Sequence, residues 1–342
     1  MTPGVDDVHH IMETTVYSTS TVLNIYLLYL ITYHSTFGIK LYKYLLTVDA
    51  GLDLIFGFIV LLSQPVAFTC DGYFVMKLNG FVAGFSPASD TFFATIYVFF
   101  LHSNILWIPV QFFYRYLLLC KDSARSLKAN ILIAAFTILY SLFCLVIFVA
   151  MCEVREEYQT VGKHIIEKNG WPMRSDGRPT YVVGSFITEW RMMAYLSIWL
   201  TTSSFSIVTV VWCEKNITKY FREMGNLSNN NNNTQRMHSE FHRALLAMAI
   251  CPLIAITIPV YYFCTVFAFQ LCSGWISAYI TSALSAITVI NPLTTIFCFR
   301  CYRRAALKHF TCDQLKKTIR PSNSIAAHTA SNTNASEVRG TK

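Results

Sequence analysis

Charge is what this chain has least of: Asp, Glu, Lys and Arg make up 13% of its 342 residues, while 54% are hydrophobic. A soluble domain carries about 25% charge, so the shortage excludes an ordinary water-soluble fold. The mean hydropathy of +0.42 places the chain in a bilayer. Other absences narrow the function. No GxSxG, HExxH, P-loop or Gly-rich dinucleotide turn occurs, so no enzyme signature and no cofactor is expected. Eleven cysteines are scattered without the paired Cys and His spacing of a zinc site. His9-His10 is a weak pair in a segment expected to be floppy, and no metal site is assigned to it. The first fourteen residues hold Asp6, Asp7 and Glu13 but no Lys or Arg, which does not fit a signal peptide.

What is present is length of apolar sequence. A spanning helix needs about twenty largely apolar residues, and seven such stretches occur, at 15–33, 45–67, 92–118, 130–151, 191–213, 244–269 and 275–299. They predict an all-α membrane protein, a seven-transmembrane helix bundle. Residues 1–14 form a short N-terminal segment, 15–310 the bundle domain and 311–342 a polar tail expected to be disordered.

Orientation follows from where the basic residues fall. Lys40 and Lys43, Arg115 to Lys128, Lys215 to Arg243 and the run from Arg300 onward all lie on one side, and they account for most of the 27 Lys and Arg. That side is read as cytoplasmic, with the N-terminus outside and the C-terminus inside. The net charge of +8 is thus sorted by topology and does not point to nucleic acid. The outer stretch 152–190 carries turn signals at Gly170-Trp171-Pro172 and Asp176-Gly177, so it is expected to be structured or semi-structured. The inner stretch 214–243 contains Asn229–Asn233, low-complexity sequence that builds no core.

Rare polar groups inside apolar spans are the functional candidates. Arg115, between Tyr114 and Tyr116, sits about one turn before the third span ends. It is either an interfacial belt residue or a switch facing the cytoplasm. Asp49 falls near the inner end of the second span. Asp53 lies roughly 13 Å and Asn291 roughly 12 Å from the inner ends of their spans at 1.5 Å per residue, so the two share a height and are expected to form a buried polar network next to Pro292. Pro252 and Pro259 in the sixth span and Pro292 in the seventh free carbonyls and predict kinks.

Beyond the seventh span, Arg300, Arg303, Arg304 and Lys308 alternate with Tyr302, Leu307 and Phe310. This predicts a short amphipathic helix, 300–310, on the inner leaflet of the bilayer. Cys298 and Cys301 lie at the depth of palmitoylated cysteines or are free thiols. Outside, Cys70 and Cys152 are expected to bridge, with Cys272 as a competing partner.

Several of these stretches together resemble the nematode serpentine chemoreceptors of the str superfamily (str, class delta or class j). They are Leu41-Tyr-Lys-Tyr-Leu-Leu46, Phe112-Phe-Tyr-Arg-Tyr-Leu117, Cys251-Pro252-Leu253 with Ile258-Pro259, and Asn291-Pro292-Leu293 with Tyr302-Arg303. The resemblance covers most of 15–310 and implies a G-protein-coupled receptor of sensory-neuron cilia. It would bind a small odorant- or pheromone-like ligand and activate a heterotrimeric G protein. Tyr97, Trp199, Tyr261, Tyr262, Trp275 and Tyr279 are then the candidates to line a ligand pocket in the outer half. The chain departs from the rhodopsin-like pattern in three places. Tyr114 replaces the acid before Arg115, no Cys stands near Ser86 and Ala88, and no Tyr completes the pattern begun by Asn291-Pro292. An odorant-gated channel or a transporter is the alternative, and a non-signalling membrane scaffold a third.

Overall fold

Inside a bilayer an apolar segment must satisfy its own backbone, which leaves it the helix. The computed structural model describes residues 5–35, 43–121, 127–152, 156–168, 179–227, 232–274 and 276–310. Its crossing elements are α1 (Val5–Tyr33), α2 (Lys43–Ser63), α3 (Pro87–Tyr116), α4 (Leu127–Met151), α6 (Trp190–Leu227), α7 (Asn232–Ala268) and a bent pair, α8 (Ile276–Ser285) with α9 (Ile287–Cys298). The helices α2, α3, α4 and α6 are long and apolar enough to cross alone, and α8 and α9 qualify together with a 44° bend. The chain thus forms a seven-helix bundle with α10 (Arg300–Phe310) attached at one end.

Local chemistry sets the ends of α3. Ser86 accepts from the Ser89 amide at 3.1 Å, Pro87 opens the helix and Asp90 sits in its first turn. At the other end a π turn, Leu117–Lys121, follows directly after Arg115 and Tyr116. The bend after α8 also has a local complement. Pro292 has no amide hydrogen to give to the Thr288 carbonyl one turn earlier. That carbonyl instead accepts from Asn24 Nδ2 (2.9 Å) and Ser20 Oγ (3.2 Å) of α1.

One end of the bundle carries a three-stranded antiparallel sheet, β1 (Pro65–Cys70), β2 (Tyr73–Leu78) and β3 (Val182–Phe186), in that order. Asp71 and Gly72 close the first hairpin with φ of 52° and 72°, the left-handed pair that a two-residue turn demands. Alternation along the strands splits the side chains by face. Val66, Phe68, Val75 and Val182 pack with Ile165 and Ile166 of α5 (Glu156–Lys168), while Ala67, Met76 and Val183 join the bundle core. Gln159 of α5 ties to both backbone groups of Val182, at 2.6 and 3.0 Å. The sheet is pinned to the segment after α7 by a Cys70–Cys272 disulfide and by Ser273, whose amide and hydroxyl both bond Thr69.

Several expectations need correction. The second span stops at Ser63 rather than 67, because residues 65–70 pair as a strand. The N-terminal segment is not floppy over its described part: α1 begins at Val5 and buries His9 and Glu13 against the bundle. The inner stretch 214–243 is largely helical, with α6 running to Leu227 and α7 starting at Asn232. The bridge is Cys70–Cys272, not Cys70–Cys152. The hairpin turn carries Cys70 under the segment after α7, while Cys152 stays at the end of α4 and donates its thiol to the Phe148 carbonyl. Residues 170–178 and the tail 311–342 lie outside the described residues.

Candidate functional site

Two features sit at opposite ends of the bundle core. Toward the sheet lies a chamber of about 70 Å³, several times the roughly 10–15 Å³ one water requires. Its walls are almost wholly apolar: Tyr97, Val98 and Leu101 from α3, Tyr195 and Trp199 from α6, Phe263 and Phe267 from α7, Leu284 from α8, and Phe74 and Met76 from β2. Tyr97 is buried and packs on Phe56, with ring centroids 5.6 Å apart. Behind the α6 wall, fully buried His102 meets the Trp199 ring edge-on at 4.7 Å and bonds the Val98 carbonyl at 2.9 Å.

Of the aromatic pocket candidates, Tyr97 and Trp199 line this chamber. Tyr261, Tyr262 and Tyr279 do not. The rotations of α7 and α8 turn Tyr261 and Tyr279 outward, to 39% and 42% exposure, and Tyr262 packs edge-on against Phe263. Trp275 lies outside the described residues. Sequence reasoning missed the aromatics at 74, 195, 263 and 267. For Phe74 a signal was available: Asp71-Gly72 between two apolar hexamers is a hairpin signature.

At the far end Arg115 is 1% exposed although it lies in the last turn of α3. Its guanidinium stands 4.9 Å over the Phe112 ring and donates to Gln111 Oε1 at 3.3 Å. Gln111 in turn donates to Asp49 Oδ1 of α2 at 2.6 Å, so one amide bridges the cation and a carboxylate on the neighbouring helix. Tyr114 packs against the cluster of Leu27, Leu30 and Tyr302, and Tyr116 meets Trp212 of α6 edge-on at 4.9 Å. One turn deeper, Asn291 Nδ2 reaches both oxygens of Asp53, at 3.0 and 3.3 Å, with Pro292 buried beside it. Asp49, Gln111, Asn291 and Thr294 border a polar cavity of about 10 Å³, room for about one water.

The bridge through Gln111 was not foreseen. Asp49, near the inner end of its span, is 5% exposed and faces the core. Beyond the bundle, α10 lies against α1, where Tyr302 Oη is 3.0 Å from Ser35 Oγ. Burial pushes the Tyr302 hydroxyl up to about 12. Cys298 and Cys301 are half-buried against the same cluster as Tyr114.

Seven helices around an apolar chamber, with a buried arginine at the opposite end, define a seven-transmembrane receptor bundle. The chain belongs to the Str family, the serpentine type 7TM GPCR chemoreceptors, whose family model matches residues 9–307. Among solved structures it is similar to squid rhodopsin, with a TM-score of 0.59 at 13% identity over 98% of this chain and 93% of that one. At that identity the likeness speaks for the fold. No curated protein matches the chain.

Proposed function

We propose that this receptor holds a small, largely apolar odorant- or pheromone-like molecule in the chamber beneath the sheet and passes its binding to a heterotrimeric G protein at the Arg115 end. The sheet end then faces outside with the N-terminus, and α10 and the C-terminus face the cytoplasm at the plasma membrane of a sensory cilium. Cys298 and Cys301 are acylation sites on that side.

The observation that carries the reading is the burial of Arg115. A guanidinium at a helix end has water within reach, and holding it inside requires partners. Gln111 and Asp49 supply them, taking the place of the acid that Tyr114 does not provide. This is the closed arrangement of a switch. A ligand that prefers an open bundle shifts the balance only by that preference, and opening presents Arg115 with the inner ends of α6 and α7 to the G protein.

The test is to express the chain with a panel of G proteins and volatiles and compare it with Arg115→Ala. A ligand-evoked G-protein signal lost in the variant at equal surface level is the expected result. A ligand-evoked current that survives G-protein blockade would replace the receptor reading with a channel.

A further inference from the structure

The sheet closes the chamber on the side that the receptor reading turns to water. Ala67, Thr69 and Met76 form part of its wall and all are buried. The hairpin that carries them is held by the Cys70–Cys272 disulfide and the Thr69–Ser273 bonds, and its Ala67 amide points to Thr281 Oγ1 at 3.5 Å. On its other face α5 covers the sheet. Nothing in this arrangement offers an aqueous mouth among the described residues.

The chamber is nonetheless not sealed all round. Its wall residues on α3 and α8 are buried, and those that keep partial exposure are Phe74 of β2, Leu196 and Trp199 of α6, and Phe263 and Cys264 of α7. Four of the five belong to α6 and α7, which pack against each other. The outer surfaces of these two helices are apolar, with Met193, Phe205 and Val208 exposed on α6, Ile258 exposed on α7 and Phe269 exposed just past its end, which is a surface for lipid tails. A polar tie crosses the seam: Ser204 of α6 and Tyr261 of α7 have their hydroxyl oxygens 3.0 Å apart, on the midplane side of the chamber.

We infer that the chamber fills sideways from the lipid phase, through the seam between α6 and α7, with the Ser204–Tyr261 bond as its latch. This rests on the receptor reading and sharpens its ligand class to small apolar molecules that partition into the membrane first. A permanently charged molecule has no route in. Such a path also accounts for Tyr261, an aromatic that does not line the chamber and still ties α6 to α7.

Cys264 reports on the seam, because its half-buried thiol lies on the chamber wall. The full-length receptor in phosphatidylcholine vesicles is treated either with N-phenylmaleimide, which is apolar, or with a trimethylammonium thiosulfonate, which is charged. Labelling is read on the peptide carrying residue 264, with Cys264→Ala as the blank and denatured protein as the measure of full reactivity. Labelling by the apolar reagent alone is expected. Tyr261→Phe, which keeps the ring and loses the bond, speeds it by about threefold, the size of one interhelical hydrogen bond in a membrane. Equal labelling by the charged reagent would overturn the inference, as would no labelling by the apolar one when the denatured protein reacts. Neither measurement involves a G protein. A failure here therefore leaves the Arg115→Ala comparison to stand or fall separately.

Discussion

Gln111→Met is the sharpest perturbation of the proposed switch. It keeps the length and flexibility of the side chain but deletes the donor to Asp49 Oδ1 and the acceptor for Arg115 Nη2. The bond within α3 can re-form with water when the bundle opens, whereas the bond across to α2 exists only while α2 and α3 are closed. An interhelical hydrogen bond in a membrane contributes about 0.6 kcal/mol on average and up to about 1.7, so its loss shifts the closed-to-open balance about 3- to 18-fold. A receptor that is about 1% open at rest, within the usual range for a minor state, becomes roughly 3–15% open. The assay is guanine-nucleotide exchange without ligand, in membranes matched for surface receptor. Adding Asp49→Ala to Gln111→Met should raise exchange no further, because both changes break one link and act non-additively. Basal exchange at the wild-type level, with surface level and ligand response intact, would refute the bridge as a lock.

The chamber, the disulfide and the topology each give a shorter test. Val98→Phe places a ring in a space of about 70 Å³, and it should raise the half-maximal concentration of an activating volatile at least about tenfold, or about 1.4 kcal/mol. Cys272→Ser unpins the sheet, and the loss of about 2–5 kcal/mol usual for a native disulfide should show as a fall in surface level and melting temperature. Cys152→Ser should change neither, since a serine hydroxyl can still donate to the Phe148 carbonyl. The sequons at Asn216, Asn226, Asn232 and Asn334 all fall on the side read as cytoplasmic. Glycosidase treatment should therefore leave the receptor's gel mobility unchanged, and a shift would invert the topology.

Where the sequence could be read, depth was the guide. Asp53 and Asn291 stand out because each is a lone polar group inside an apolar span, and counting residues places both at one height; they meet at 3.0 Å. The helix α10 was legible for a similar reason, as basic and apolar residues alternate at helical spacing right after a long apolar run. Hydropathy has no such power at 65–70. A short apolar strand looks like the continuation of the helix before it, and so the second span took in the first half of β1. That error hid the hairpin turn that delivers Cys70 to Cys272, and it hid Phe74 and Met76 as chamber walls. The aromatics failed for another reason. In a membrane both faces of a helix are apolar, so periodicity does not fix its rotation, and Tyr261 and Tyr279 look no different from Tyr195 until the helices are packed. Asp49 stands near the span end, as its position suggests, but that nearness says nothing of the amide on α3 that binds it.

The bridge from Cys70 to Cys272 fixes more than the sheet. It fastens the upper end of α7 to the hairpin that leaves α2, while the other end of α7 extends to Asn232. Counted straight through Pro252 and Pro259 at 1.5 Å per residue, its 37 residues reach about 55 Å, so a tilt of only about 10° around the fastened end swings the free end by roughly 10 Å. A rod anchored this way magnifies displacement along its length: a change of a few tenths of an ångström at Phe263 or Phe267, close to the pivot, becomes a shift of several ångströms where a partner protein would dock.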